Sequence, residues 1–375
     1  LNLPAEFRSE LSSLVDEFIN DSKGQIFADK SLEAGFNKKA EDLAKKYCEQ
    51  LESAFPGWKG MVNHGPIQLQ REASRHILKV NLALQISPEY QKALPRDKCI
   101  LEWSAWLHDL AKRPSWAEYP SQRRVDKEHL YPIHQEFDAQ FQLIFEDVNA
   151  DMLVFKDGVL DETIVGFLQQ GMSIVLVDQL LMAHHRIGDS THAFRSVVDA
   201  AKSLYRSGFP VWGMSVGGDL QESESFQELE RLVQSAVVYN PALGHLVQDN
   251  TKVGDVLNAI RELFGNRDSQ EALLPGMTMA EQILRTVFLH QSLPDLVTYP
   301  NVAALTDEQI GKWIDMDTFR LLSIFIPVDS MSFRLHDESL LTKYQAEIKA
   351  NMDRTATIIS QSSMTTSQNP KEIGS

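Results

Sequence analysis

The chain lacks most of what a stapled or membrane-embedded fold is built from. It has only two cysteines, Cys48 and Cys99, among 375 residues. Two thiols cannot build a disulfide framework, and theirs is not the spacing of a zinc or redox motif, so a reducing compartment is expected. No apolar run reaches the roughly 18–20 residues that cross a bilayer; the greasiest, Ile174 to Ala183, is cut by Asp178 and Gln179. The opening Leu-Asn-Leu-Pro-Ala-Glu lacks the basic start and apolar stretch of a signal peptide. The expectation is a cytoplasmic protein with no membrane partner. Basic residues are also in short supply: 36 Lys and Arg stand against 52 Asp and Glu, a net charge of −16. Polyanion binding rests on clustered Lys and Arg, so nucleic acid is disfavoured as the main partner. A local basic strip at Lys112, Arg113, Arg123, Arg124 and Lys127 keeps it open. Gly-x-Ser-x-Gly, His-Glu-x-x-His and Walker-type loops are missing, and the glycines of Val216-Gly217-Gly218-Asp219 do not open a helix in a phosphate-binding pattern.

What is present reads as an all-α protein. Apolar periodicity near 3.6 dominates, and clean period-two alternation is scarce. The pattern predicts helices over about 3–20, 36–55, 67–86, 98–112, 133–147, 173–185, 193–206, 226–238, 253–264, 278–290 and 306–350. Val211 to Val216 is strand-like but short. The segment 208–315 contains a stretch rich in Gly, Ser, Asn and Asp and reads as a long insertion. The expected organisation is an N-terminal helical region over 1–60, a central domain over 61–350 carrying that insertion, and a flexible tail over 351–375. No feature of the sequence specifies an oligomeric state.

The chemistry sits in a series of histidines and aspartates. His76 lies on the apolar stripe of its helix with Leu69, Ala73, Ile77, Val80 and Leu84. An imidazole on a buried face must find a hydrogen bond or a metal. The helix from Cys99 through Leu107 is apolar nearly all round, which marks it as buried, and it delivers His108 and Asp109 at its end. A neutral imidazole beside a carboxylate in a dry setting is costly without a compensating cation. His134 aligns with Phe137, Phe141 and Ile144, and His184 with Ile174, Val177 and Leu181, while His185 sits on the adjoining flank. Several helices thus aim imidazole or carboxylate inward. Such N and O donors suit one or two divalent ions among Zn, Fe, Mn, Co, Ni or Mg, whose identity spacing does not choose.

This series resembles the HD-domain superfamily of metal-dependent phosphohydrolases, whose pattern is H…HD…H…HH…D. Here it is carried by Arg-His76-Ile-Leu-Lys-Val, Trp-Leu-His108-Asp109-Leu-Ala-Lys112, Pro-Ile-His134-Gln-Glu-Phe and Met-Ala-His184-His185-Arg186. The resemblance spans roughly residues 64–200, with a last ligand further on. It implies an HD-type helical bundle in which His76, His108, Asp109 and a distant aspartate hold one metal. His134, His184 and His185 would hold a second, with Asp109 bridging as a catalytic residue and Lys112 (or Arg186) touching a substrate phosphate. Two aspartates compete for the last ligand. Asp199 matches in order, but lies about 140° round the helix from Phe194, off the apolar face. Asp329 lies in Leu-Ser-Ile-Phe-Ile-Pro-Val-Asp-Ser-Met, apolar nearly all round, and is favoured. His64 reads as a loop residue, and His129, His192, His245, His290 and His336, without partner spacing, as surface or core histidines.

The implied activity is metal-assisted hydrolysis of a phosphate ester, with a phosphorylated small molecule or nucleotide as partner. The alternatives are an HD-type nuclease, a di-iron oxygenase and a catalytically inactive regulatory module. The HD-GYP branch fits poorly, since Arg186-Ile187-Gly188 follows the histidine pair.

Overall fold

A computed structural model describes residues 3–21, 30–55, 58, 68–111, 192–214, 217–240, 245–265, 278–293, 305–332 and 338–368. The expected helices over 133–147 and 173–185 lie outside the described residues. So do Lys112, His134, His184, His185 and Arg186.

The described chain is all-α, with one small hairpin. In chain order it forms α1 (Ala5–Asp21), α2 (Lys30–Lys46), α3 (Cys48–Ala54), α4 (Gln68–Ile86), α5 (Pro88–Lys92), α6 (Pro95–Leu107), α7 (His192–Arg206) and α8 (Glu224–Ser235). The antiparallel pair β1 (Val237–Asn240) and β2 (His245–Gln248) follows, with Val237 opposite Gln248. Then come α9 (Val253–Phe264), α10 (Met279–Leu289), α11 (Asp307–Trp313), α12 (Met316–Ser332) and α13 (Glu338–Gln368). No described helix is long and apolar enough to cross a membrane.

Local chemistry sets many of these boundaries. Ser87, Ser223 and Thr278 each accept an amide hydrogen bond at the start of α5, α8 and α10. Thr306 and Gln309 form a reciprocal capping box on α11. Asp315 accepts the Thr318 amide at 2.7 Å and starts α12. That cap, after extended backbone at Ile314, separates α11 from α12 within the stretch 306–350 where a single helix was expected. Apolar periodicity ran through the break because Ile310, Ile314 and Phe319 are all buried.

The centre of the molecule is a bundle of α4, α6, α7, α10 and α12. Helix α10 packs against α6, α7 and α12, and α4 against α6 and α12. The residues at the contacts explain why: Ile100, Leu101, Ala105 and Leu107 of α6 and Ile283, Leu284, Val287 and Phe288 of α10 are fully buried. Phe194 of α7 meets Phe288 of α10 with ring centroids 4.2 Å apart. At roughly 1.5–3 kcal/mol per buried large apolar side chain, these contacts are the main force closing the bundle. One ion pair, Arg320 to the buried Asp97 at 3.2 Å, ties α12 to the first turn of α6.

Three observations bear on the regions expected from the sequence. The N-terminal helices share their core with the bundle: Phe7 lies edge-on to Trp106 of α6 at 5.6 Å, and Phe55 stacks on it at 5.4 Å. The stretch 208–315, expected to be an insertion, contains α10, which is bundle core. The tail expected to be flexible from 351 is helical through Gln368, with Thr355 and Ile359 buried. Its Ser- and Thr-rich composition concealed this, because Thr355, Thr357 and Ser360 satisfy their hydroxyls on carbonyls one turn back. The strand-like Val211 to Met214 is turn and coil rather than strand.

Candidate metal centre

Five helices of the bundle bring four imidazoles and two carboxylates to one place. His76 comes from the middle of α4, and His108 and Asp109 from the turn that ends α6. His192 opens α7, His290 follows α10, and Asp329 sits in the last turn of α12. His108 and Asp109 are fully buried, and His76, His192 and His290 nearly so. Asp329 is the most open, with 16 % of its side chain exposed.

The atoms fall into two groups that share Asp109. In the first, His76 Nε2 lies 2.8 Å from Asp329 Oδ1, 3.3 Å from His108 Nε2 and 3.6 Å from Asp109 Oδ2. His108 Nε2 lies 3.5 Å from Asp329 Oδ1 and 3.6 Å from Asp109 Oδ2. In the second, the other oxygen of Asp109, Oδ1, is 2.9 Å from His192 Nε2, and His290 completes a set whose ligand atoms all lie within 4.8 Å. Ligands roughly 2.0–2.2 Å from a common ion stand about 3.0–3.5 Å from each other. The first group has that spacing, and Asp109 presents one oxygen to each group.

The backbone aims the rings. His108 Nδ1 donates to the carbonyl of Ala105 at 3.0 Å, and His290 Nδ1 donates to that of Val287 at 2.7 Å. In both, the bond reaches three residues back into a greasy helix and turns Nε2 toward the cluster. Outer bonds of this kind fix the tautomer of metal-binding histidines. The segment bearing Asp109 is anchored as well, since the Ala111 amide donates to Ser196 Oγ of α7 at 3.0 Å.

Two observations say that the residues fit a cation. His290 Nε2 is buried and makes no hydrogen bond among the described residues, a cost of about 1–3 kcal/mol if nothing occupies its lone pair. Its ring stays neutral: burial, reinforced by the neighbouring charge of His108, pushes its pKa down to about 3. The second observation is charge. Burial pushes the Asp329 carboxyl up, but hydrogen bonds from His108 and His76 outweigh it and hold the group well below its ordinary value. Ionised carboxylates this deep among imidazoles need a compensating charge, and a divalent ion supplies it.

Of the residues read from the sequence, His76, His108, Asp109 and Asp329 are brought together. Asp199 stands apart, with its carboxylate 4.0 Å from Lys202. The proposed second set of His134, His184 and His185 lies outside the described residues. His192 and His290, read as surface or core histidines, are instead members of the cluster. A signal for His290 was present: Phe288-Leu289-His290 ends an apolar helix just as Trp106-Leu107-His108 does. His192 has no comparable mark, because it stands at a helix start before the apolar stripe begins.

Comparison with known protein families, with curated proteins and with solved structures finds no match for this chain.

Proposed function

We propose that the chain is a metal-dependent phosphohydrolase of HD type, acting on a phosphorylated small molecule or nucleotide. The observation that carries this reading is Asp109, whose two oxygens face two separate histidine groups at the end of one buried helix. Divalent ions held there supply an activated water and stabilise charge on phosphoryl oxygens. The protein's own contribution is orientation. His76, His108 and Asp329 would hold one ion, His192 and His290 a second, and Asp109 both. The carbonyls of Ala105 and Val287 keep the imidazoles in the binding tautomer. Asp329, the most exposed member, marks the side from which substrate reaches the ions.

The test is elemental analysis of the purified chain, followed by hydrolysis of bis(p-nitrophenyl) phosphate and a nucleotide panel with Mn added. Bound metal and hydrolysis that chelation abolishes support the proposal. Bound iron with oxygen uptake and no phosphate release would replace it with the oxidative reading. Cleavage of single-stranded DNA without nucleotide hydrolysis would replace it with the nuclease.

A further inference from the structure

Away from the imidazole cluster, α9, α10, α11, α13 and the start of α12 line an open polar cavity of about 310 Å³. It is lined by Arg261, Arg285, Lys312, Trp313, Asn258 and Asp315, among others. Arg285 is buried, which is rare for a guanidinium and costly without partners. Its Nη2 donates to the Trp313 carbonyl at 2.8 Å and to Asp315 Oδ2 at 3.3 Å, and its Nε donates to Thr318 Oγ1 at 3.3 Å. Asp315 is itself fixed, because Oδ1 accepts the Thr318 amide. The guanidinium is thus locked in place through its Nε and Nη2. Arg261 is half exposed, and Lys312 lies over the Trp313 ring at 4.7 Å.

The charge here runs against that of the chain. Three cations line the cavity against one carboxylate, Asp315, already engaged twice. A further acid, the buried Glu281, does not line the cavity and pairs with Arg261 at 3.5 Å. A fixed guanidinium with two mobile cations is the arrangement that recognises phosphate oxygens, through charge-assisted hydrogen bonds. Trp313 adds a flat apolar surface beside them.

We propose that this cavity binds a phosphate-bearing small molecule no larger than a mononucleotide. Its phosphate rests on Arg285, Arg261 and Lys312, and its ring lies against Trp313. The site is separate from the imidazole cluster, although Arg285 stands on the helix that ends at His290, about 7 Å along its axis.

The test is calorimetric titration of the full chain with AMP and with inorganic phosphate. Arg261→Ala with Lys312→Ala removes two exposed cations without touching the buried one, and thermal melting checks that this variant folds. Affinity is expected to fall about tenfold or more in the double variant. Asp109→Ala, which disables the imidazole cluster, is expected to leave this binding in place. Unchanged affinity in the double variant overturns the proposal. So does loss of binding in Asp109→Ala alone, which assigns the phosphate to the cluster, and so does wild-type protein that binds neither probe at millimolar concentration.

Discussion

His108 and His290 end their helices in the same way, each with its Nδ1 on a carbonyl three residues back. They differ in the group they join: His108 stands with His76 and Asp109, His290 with His192 and Asp109. His290→Ala is therefore expected to lower bound metal to about half of the wild-type content. His108→Ala should strip the first group, and Asp109→Ala both, with helical content largely retained. Mass spectrometry of the native proteins reads the stoichiometry, and wild-type metal content in His290→Ala would make that ring an ordinary core histidine. A second residue-scale test lies on the same helix. Burial pushes the Glu281 carboxyl up in pKa, while Arg285 and Arg261 pull it down less strongly. Its folded-state value thus exceeds the unfolded one, so the native state holds the proton longer as pH rises. Stability from this group is full below the unfolded value of about 4.5 and is lost as pH climbs through the folded value. Glu281→Gln should raise the melting temperature at pH 7 and converge with wild type in acid; a constant offset at all pH values would refute the linkage. Such residues also show what a sequence can disclose. His76, His108 and Asp109 were legible because each interrupts a dense apolar stripe. His192 was not, because the partners that define it come from helices far away in the chain.

Helices were legible wherever burial is one-sided, as in α1, α8 and α9, and less so where caps decide. The pattern cannot see a cap in a run that stays apolar through it, which is why Asp315 went unread as the start of α12. Nor does it see hydroxyls that fold back on the helix, which is why α13 seemed to end early. The pair β1–β2 is too short for alternation to register. Close approaches between elements are likewise invisible in sequence, and Gly254 is one. A Cβ built there would stand 2.2 Å from Cζ2 of Trp313, so α9 and α11 approach as they do only because this position has no side chain. Gly254→Ala must displace the indole, and overpacking of this kind costs about 1–3 kcal/mol. The loss is expected in denaturant titrations, together with a shifted tryptophan fluorescence. Within-error stability would mean that the ring swings aside freely.

The cluster draws its side chains from residue 76 to residue 329, so an ion bound there would link elements that sequence separates by most of the chain. Binding to the native state alone adds RT ln(1 + [L]/Kd), about 4 kcal/mol at a thousandfold excess over Kd. Without the ion the same residues work against folding, because their buried carboxylates lack the cation that would compensate them. Asp109→Asn keeps the shape and removes one of those charges. The order of stability should therefore cross. In chelator the variant is expected to melt at or above the wild-type temperature, and with added Mn or Zn the wild type should rise well above it. Parallel shifts of both proteins with metal would place the stabilising ion elsewhere. A variant that melts far below wild type in chelator would mean that Asp109 serves the fold directly, through His192, rather than as a ligand.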